Sequence, residues 1–293
     1  MQLKTILHAT DFSDASRPAL DQALKLARFH QAKLHLLHVE VIPETIYASL
    51  DMASLGSAEQ LTRSEPAEDR LKALVPAGDD NVILATMSHN RAAVAIAEYA
   101  QEHGIDLVVV GSHGYSGIDR LLLGSEANKL LRVATVPVLV VRSGLTVKDD
   151  DSAPFSRLLA PVDFSDASRE ALQQADKLAT LYGASLRVIH SIDVMIPTHY
   201  AYVPAESYLP QARDALVDFI SQADLTGNPE RMVLPGPAAA AILETAENQE
   251  LDLIVMARSG LSGWQRFLIG STTERVLNKA ECAVLVLPAA EKE

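Results

Sequence analysis

A glycine-rich stretch in the middle of the chain carries the clearest chemical signal in this sequence. Gly111 and Gly114 follow an apolar run over 107–110, and Gly124 and Ser125 come after nine further residues, just before an apolar-periodic segment. This order predicts a buried strand, a glycine turn, a loop and a helix that begins at Gly-Ser. Unpaired backbone N–H groups at a helix N-terminus attract anions, and glycine lets the backbone approach a ligand closely. The spacing therefore predicts a phosphate-binding loop.

An altered copy of this stretch lies near the end of the chain. It has Ala257 in place of the first glycine, keeps Gly260, and has Gly270 and Ser271 after nine further residues. Arg258, inside this copy, could reach a phosphate or fill the cleft. The copy indicates that the chain contains the same structural unit twice.

Other segments repeat in the same order. Residues 11–16 and 163–168 share the identical hexapeptide Asp-Phe-Ser-Asp-Ala-Ser. Apolar runs at 34–38, 106–110 and 136–141 return at 186–190, 252–256 and 282–287. The stretch 143–156 between the copies is polar and rich in turn residues. The sequence thus predicts two homologous domains, residues 1–145 and 154–293.

Short apolar strands alternate with amphipathic helices in each predicted domain. In the first domain the predicted strands are 4–9, 33–39, 81–86, 107–110 and 136–141, and the predicted helices are 17–30, 67–74, 92–103 and 127–133. Continuous Val, Leu and Ile runs are typical of parallel strands buried on both faces. The predicted fold class is therefore α/β, with two tandem doubly wound parallel five-stranded sheets. Ligands of such sheets bind beyond the carboxyl ends of the strands, where Asp11 and Gly111 are expected.

Composition disfavours several classes of protein. The 293 residues carry a net charge of -13, whereas a nucleic-acid surface needs clustered Lys and Arg. No apolar run is long enough to span a membrane, and no signal-peptide pattern follows Met1. The single cysteine, Cys282, is expected in the core rather than as a nucleophile, and it fits a reducing cytoplasm. We therefore expect a cytoplasmic protein without nucleic-acid or membrane partners.

Catalytic and metal signatures are missing from the sequence. It contains no Gly-x-x-x-x-Gly-Lys-Ser/Thr loop, no Gly-x-Ser-x-Gly elbow and no pair of carboxylates that suggests a general acid and base. The nine histidines show no metal-binding spacing, so no metal site is expected. His113 lies inside the glycine stretch and could contact a phosphate or solvent.

The glycine spacing after a Val-rich strand resembles the ATP-binding motif of the universal stress protein family. Residues 6–13 look like the first strand of that family, 36–39 like its second and 136–141 like its last. The resemblance covers both repeats nearly from end to end. It implies an adenine nucleotide, ATP or AMP, at the carboxyl ends of the strands, and leaves room for Mg²⁺ beside a triphosphate. It also implies that the last strands of the two repeats pair antiparallel within the chain.

The same resemblance assigns roles to individual residues of the first repeat. Thr10 and Asp11, beside Ala9, would flank the adenine and ribose, and Val39 would contact the adenine. The remaining predicted nucleotide-binding residues are Gly111, His113, Gly114, Gly124, Ser125, Glu126 and Ala127. Asp11 could instead cap the turn beside Ser13, and the two roles are compatible.

The same resemblance implies a weaker nucleotide-binding site in the second repeat. Its predicted residues are Pro161, Val162, Asp163, Ser191, Ala257, Arg258, Gly260, Gly270, Ser271 and Thr272. Here Val162 replaces Thr10 and Ser191 replaces Val39. In the first repeat, Glu126 departs from the family pattern, which commonly has an apolar or small residue there. Its carboxylate suits a helix N-terminus but would repel a triphosphate unless it points away or shares a divalent cation.

Three functions remain to be weighed. The first is a stress-response regulatory protein that binds an adenine nucleotide mainly in the first domain and presents a changed surface to an unidentified protein partner. It would not be an enzyme, and any ATP hydrolysis would be slow. The second is a nucleotide-free interaction or scaffold module with degenerate sites. The third, an adenylyl-transfer enzyme, is disfavoured because its Ser-Gly-Gly and His-x-Gly-His signatures are missing. The sequence leaves open whether the chain also forms a homodimer.

Overall fold

The computed structural model describes residues 3–42, 65–76, 79, 81–112, 123–148, 150, 152–193, 208–260 and 268–288. Within these ranges, strands alternate with helices in two successive halves of the chain. The strands of the first half are β1 (Thr5–Ala9), β2 (Lys33–Val41), β3 (Val82–His89), β4 (Leu107–Gly111) and β5 (Val138–Val141). Those of the second half are β6 (Arg157–Pro161), β7 (Ser185–Ile192), β8 (Glu230–Pro235), β9 (Leu253–Ala257) and β10 (Ala283–Leu287).

Helices connect the strands. Those of the first half are α1 (Arg17–His30), α2 (Ala67–Leu74), α3 (Ala92–Glu102) and α4 (Ser125–Val133), and those of the second are α5 (Asp166–Tyr182), α6 (Leu209–Ser221), α7 (Ala238–Asn248) and α8 (Ser271–Lys279). The bounds of α1 and α2 are those predicted from the sequence. Within the described ranges, no helix is both long enough and apolar enough to cross a lipid bilayer.

Each half forms a parallel sheet whose strand order reverses. The order in space is β3-β2-β1-β4-β5 in the first half and β8-β7-β6-β9-β10 in the second. Every pair of neighbouring strands within a half is parallel. The chain builds β2 and β3 on one side of β1, then returns to build β4 and β5 on the other side. The predicted doubly wound α/β fold is confirmed, with reversals between β1 and β4 and between β6 and β9.

The two five-stranded sheets join into one continuous sheet of ten strands. β5 and β10 pair antiparallel, with Leu139 opposite Leu285 and Val140 opposite Val284. The pairing implied by the family resemblance is therefore confirmed. Each strand would otherwise be an apolar edge with unpaired N–H and C=O groups, so the pairing protects both halves from edge-to-edge association.

Helices cover both faces of the ten-stranded sheet. One core packs α1, α2, α5 and α6 against the sheet, and the other packs α3, α4, α7 and α8 against the opposite face. Successive residues of β4 show the alternation, because Val109 lies in the first core while Val108 and Val110 lie in the second. Burial on both faces explains why these strands read as continuous apolar runs.

Several element bounds differ from the sequence prediction. β2 ends at Val41 rather than at residue 39, and β5 begins at Val138 rather than at residue 136. β3 continues to His89 rather than ending at residue 86, because its last three residues pair with the end of β2.

The equivalent residues Ser13 and Ser165 behave differently. In the first half, Ser13 precedes a short 3₁₀ turn (Asp14–Ser16), and its side chain makes no capping bond. In the second half, Ser165 Oγ accepts the Ser168 N–H at 3.1 Å and caps α5 directly.

A buried lysine fixes the link between the halves. Lys25, on α1, is 7% exposed, and its Nζ donates to the Lys148 carbonyl (3.0 Å), the Asp150 carboxylate (2.8 Å) and the Ser152 hydroxyl (3.0 Å). The hydrogen bond from Lys25 is the main reason that the pKa of Asp150 falls to about 2. The polar link predicted at 143–156 is therefore held against α1.

His8 is a buried titratable group in the centre of β1. Its Nδ1 donates to the Val109 carbonyl at 3.0 Å, and its Nε2 has no partner within the described part of the chain. Burial lowers the pKa of His8 to about 4, against smaller opposing effects of the Val109 hydrogen bond and the Asp11 charge. The folded protein therefore keeps His8 neutral near pH 7.

This burial predicts a loss of stability in acid. His8 takes up a proton near pH 6.5 in the unfolded chain but only near pH 4 in the folded chain. The contribution of His8 to the free energy of unfolding is therefore complete above about pH 6.5, and it falls by about 3 kcal/mol as the pH drops to about 4. The difference in free energy of unfolding between wild type and His8→Ala, measured by urea titration, should shrink accordingly. A difference that stays constant with pH would contradict this assignment.

The β5–β10 pair predicts that the two halves unfold together. Leu139→Ala removes a side chain that is 1% exposed and lies opposite Leu285, and it should lower the free energy of unfolding by about 2–5 kcal/mol. Trp264, the single tryptophan, belongs to the second repeat. In urea titrations, the midpoint of the transition in Trp264 fluorescence should shift by as much as the midpoint of the transition in far-UV circular dichroism.

The matched control is Ile83→Ala, because Ile83 is 40% exposed on the outer strand β3 and should shift neither signal much. A Trp264 transition that does not move in Leu139→Ala would show that the halves unfold independently.

Candidate functional site

Two cavities open at the carboxyl ends of the parallel strands. Cavity 1 lies where the strand order reverses between β1 and β4, and cavity 2 lies at the equivalent place between β6 and β9. Doubly wound sheets bind their ligands at such reversals. The duplicated fold therefore offers two candidate sites.

Cavity 1 has a volume of about 370 Å³, within the range of small-molecule sites. Its described lining consists of Ala9, Thr10, Asp11, Ser16, Val39, Val41, Ala92, Ile96, Val110, Gly111, Gly124, Ser125, Glu126, Ala127 and Leu130. This set contains every residue predicted for the first site except His113 and Gly114, which lie outside the described residues. The fold thus brings residues from distant parts of the first repeat to one cavity.

A hydrogen-bonded turn after β1 positions the Asp11 carboxylate. The Phe12 N–H donates to Thr10 Oγ1 at 3.0 Å, and Asp11 Oδ1 accepts the N–H (3.0 Å) and the hydroxyl (2.6 Å) of Ser13. Phe12 is held at φ +63°, in the left-handed region that residues other than glycine rarely adopt. The turn-capping role considered for Asp11 is therefore present, and Asp11 also lines cavity 1.

The second half builds the same turn. Phe164 has φ +66°, and Asp163 Oδ1 accepts the N–H (3.1 Å) and the hydroxyl (2.5 Å) of Ser165. Non-glycine residues in left-handed conformations cluster at functional sites. The identical hexapeptide is the sequence signal for this turn, but it does not reveal the left-handed phenylalanine.

Two histidines hold these turns to the neighbouring strands. His38 Nδ1 donates to the Thr10 carbonyl and His190 Nδ1 to the Val162 carbonyl, each at 2.9 Å. Each imidazole also lies against the phenylalanine of its turn, with ring centroids 4.4 and 4.1 Å apart.

No group of three or more His, Cys, Asp or Glu residues could hold a metal ion within the part of the chain that the structure describes.

Helix α4 begins at the wall of cavity 1. Its N-cap residue, Gly124, donates its N–H to the Ser112 carbonyl at 2.7 Å. In the first turn, the Glu126 carboxylate accepts the Ala93 N–H at 3.3 Å and the Lys129 Nζ at 2.6 Å. Glu126 therefore brings a negative charge to the place where the first turns of α3 and α4 meet.

Cavity 2 has a volume of about 250 Å³. Its described lining consists of Pro161, Val162, Asp163, Ser168, Ile189, Ser191, Ala238, Ile242, Met256, Ala257, Gly260, Gly270, Ser271, Thr272 and Thr273. This set contains every residue predicted for the second site except Arg258. A Cβ at Gly260 would lie 1.7 Å from Asp163 Oδ2, so a larger residue there would have to displace the Asp163 carboxylate.

The structure corrects the prediction for Arg258. Its side chain is 5% exposed and reaches the other half, where Nη1 donates to the carbonyls of Leu131 (3.1 Å), Arg132 (3.3 Å) and Ala134 (3.1 Å). These carbonyls lie at the C-terminal end of α4, where the helix dipole favours a cation. Arg258 therefore binds α4 rather than lining cavity 2. The motif spacing places its backbone beside the cavity, but only the β5–β10 joint brings α4 within reach of its side chain.

A second set of hydrogen bonds crosses the joint. Asn278, on α8, accepts the Leu123 N–H at Oδ1 (2.8 Å) and Arg142 Nη2 at its carbonyl (2.8 Å). Leu123 immediately precedes the N-cap residue of α4. Helix α4, whose first turn lines cavity 1, is therefore held at both ends by the second half of the chain.

The motifs do not include all of the residues that line the cavities, and most of the additional ones are apolar. In cavity 1 the additional lining residues are Ser16, Val41, Ala92, Ile96, Val110 and Leu130, and in cavity 2 they are Ser168, Ile189, Ala238, Ile242, Met256 and Thr273. Comparison of the two repeats could have indicated these positions, because several of them, such as Ile96 and Ile242, are equivalent in the two repeats.

Cys282 is buried in the core and lines neither cavity. Burial raises the pKa of its thiol to about 12, so the reactive thiolate is scarce at neutral pH. The expected core role of Cys282 is confirmed.

The contact between Arg258 and α4 predicts a measurable contribution to stability. Arg258→Ala leaves buried carbonyls without their donor and should lower the free energy of unfolding by about 1–3 kcal/mol, measured in urea. Arg157→Ala is the matched control, because Arg157 forms an exposed ion pair with Glu250 whose loss should cost at most about 1 kcal/mol. Equal effects of the two substitutions would contradict the bridging role of Arg258.

Known proteins share this architecture. The Universal stress protein family model matches residues 2–142 and again residues 154–288. The protein "Universal stress protein YxiE" of Bacillus subtilis (strain 168) is 35% identical over 145 residues, which cover 47% of this chain and 97% of that protein. A universal stress protein of Mycolicibacterium smegmatis is 27% identical over 96% of each chain.

A solved structure supports the likeness in fold. The crystal structure of a universal stress protein from Archaeoglobus fulgidus DSM 4304 aligns with 99% of this chain and 100% of its own, with a TM-score of 0.67 and 20% identity. Because the family model matches nearly all of both halves, the chain belongs to the universal stress protein family and contains two copies of its domain.

Proposed function

We propose that this chain is a stress-response regulatory protein that binds an adenine nucleotide, ATP or AMP, mainly in cavity 1. The observation that carries the proposal is the convergence of Asp11, Val39, Gly111 and Gly124 on one cavity of about 370 Å³. These residues come from three strand ends and a helix N-terminus, which are the positions where doubly wound sheets bind ligands.

Cavity 1 supplies suitable chemistry for each part of such a ligand. The apolar side chains of Val39 and Val110 can contact a planar base. The Asp11 carboxylate accepts hydrogen bonds, which ribose hydroxyls donate. Backbone N–H groups at the start of α4, beside Gly124 and Ser125, can bind a phosphate.

Cavity 2 is proposed as the weaker site. It is smaller, at about 250 Å³, and Ser191 and Val162 stand where cavity 1 has Val39 and Thr10. A polar side chain in place of valine reduces the apolar surface available to a base.

Binding rather than turnover is proposed as the function. The described lining residues of the two cavities include no lysine, arginine or histidine that could assist phosphoryl transfer. Any hydrolysis of ATP is therefore expected to be slow. We propose that occupancy of cavity 1 changes the surface that a protein partner contacts in the cytoplasm.

Filling cavity 1 tests this function. Mass spectrometry of the denatured wild type should detect a bound adenine nucleotide, or millimolar AMP should raise the Tm of the empty protein. At a concentration about 100 times Kd, the stabilisation is about 2.7 kcal/mol. Val39→Trp places an indole in the cavity and should remove most of this effect, while circular dichroism checks that the variant is folded.

The matched control is Ser191→Trp, at the equivalent place in cavity 2, which should keep most of the AMP-induced rise in Tm. The reverse pattern would contradict the assignment to cavity 1. A wild type that carries no nucleotide and responds to neither adenosine, AMP nor ATP would favour the scaffold function instead.

A further inference from the structure

We propose that Glu126 sets the number of phosphates on the ligand of cavity 1, so that adenosine and AMP are favoured over ATP. This inference rests on the proposed function and adds a ligand class that a single side chain determines. Its counterpart in cavity 2, Thr272, imposes no such selection.

Glu126 lies where the N-termini of two helices meet at cavity 1. It lies in the first turn of α4 and lines cavity 1, and its Oε2 accepts the Ala93 N–H in the first turn of α3 at 3.3 Å. The N-termini of two helices therefore meet at one carboxylate. These are the positions in the cavity that would otherwise attract an anionic group from a ligand.

The charge of Glu126 is only partly offset by its neighbour. Lys129 Nζ lies 2.6 Å from Glu126 Oε1, but the two side chains are 63% and 49% exposed. Ion pairs with this exposure contribute little, because water screens them. A ligand that fills cavity 1 displaces water from its side of the Glu126 carboxylate, so the repulsion acts mainly on a charge bound in the cavity.

A second carboxylate adds to the effect. Asp11 and Glu126 are the charged residues in the described lining of cavity 1. Coulomb repulsion grows with the charge of the ligand, so each added phosphate is disfavoured further. Adenosine, which is uncharged, experiences none of this repulsion.

Cavity 2 provides an internal comparison. Ser271, Thr272 and Thr273 form the first turn of α8 and line the cavity. The hydroxyls of Ser271 and Thr272 can donate hydrogen bonds to phosphate oxygens, whereas Thr273 Oγ1 donates to the Ala257 carbonyl at 3.1 Å. Its described lining contains one charged residue, Asp163, the counterpart of Asp11. Glu274 also lies in the first turn of α8 but does not line the cavity.

Site-resolved photolabelling tests the role of Glu126. The full chain is irradiated with 8-azidoadenosine in EDTA, so that no divalent cation shields the phosphates, and peptide mass spectrometry assigns the label to each half. Adenosine, AMP and ATP then compete for the label in wild type, Glu126→Gln and Thr272→Glu. The glutamine keeps an oxygen that can accept the Ala93 N–H while it removes the charge.

We expect ATP to compete in the first half at least about tenfold more weakly than adenosine. Glu126→Gln should improve competition by ATP about tenfold, which corresponds to about 1.4 kcal/mol, while adenosine changes less than about twofold. Thr272→Glu should weaken ATP in the second half by a similar factor.

Two results would overturn the inference. One is a wild type in which ATP and adenosine compete equally in the first half. The other is a Glu126→Gln variant in which adenosine improves as much as ATP, because the side chain would then act through cavity shape rather than charge. A protein that 8-azidoadenosine labels in neither half would instead overturn the proposed function itself.

Discussion

The antiparallel pairing of β5 with β10 is the interaction on which the rest of the structure depends. It covers two apolar edges and sets Leu139 against Leu285 in a core that runs through both halves. It also brings the C-terminal end of α4 to Arg258 and the residue before α4, Leu123, to Asn278. Cavity 1 is therefore lined by the first half of the chain, while the helix at its wall is held in place by the second half.

The duplication keeps the scaffold of the site and varies its lining. Both halves place a hydrogen-bonded turn after the first strand, including the left-handed Phe12 and Phe164. Both also start a helix at Gly-Ser on the cavity wall. The residue after Gly-Ser differs between the halves: it is the charged Glu126 in the first and the neutral Thr272 in the second. One backbone arrangement can thus present two chemically different surfaces to related ligands.

Features that depend on local pattern could be predicted from the sequence, and features that depend on distant contacts could not. Continuous apolar strands and the repeated hexapeptide predict a doubled α/β fold, and the glycine spacing places Gly111 and Gly124 at one cavity. The family resemblance implies the joint between β5 and β10, but the direction of the Arg258 side chain depends on how α4 packs across that joint. The hydrogen bond from Ala93 to Glu126 likewise depends on how α3 packs against α4.

A crystal structure of the protein grown with AMP would test the central claim, nucleotide binding in cavity 1, most directly. In that structure the adenine should contact Val39, and a ribose hydroxyl should lie about 2.6–3.2 Å from the Asp11 carboxylate. A cavity 1 that remains empty at saturating AMP, or AMP bound away from Asp11 and Gly124, would contradict nucleotide binding in cavity 1.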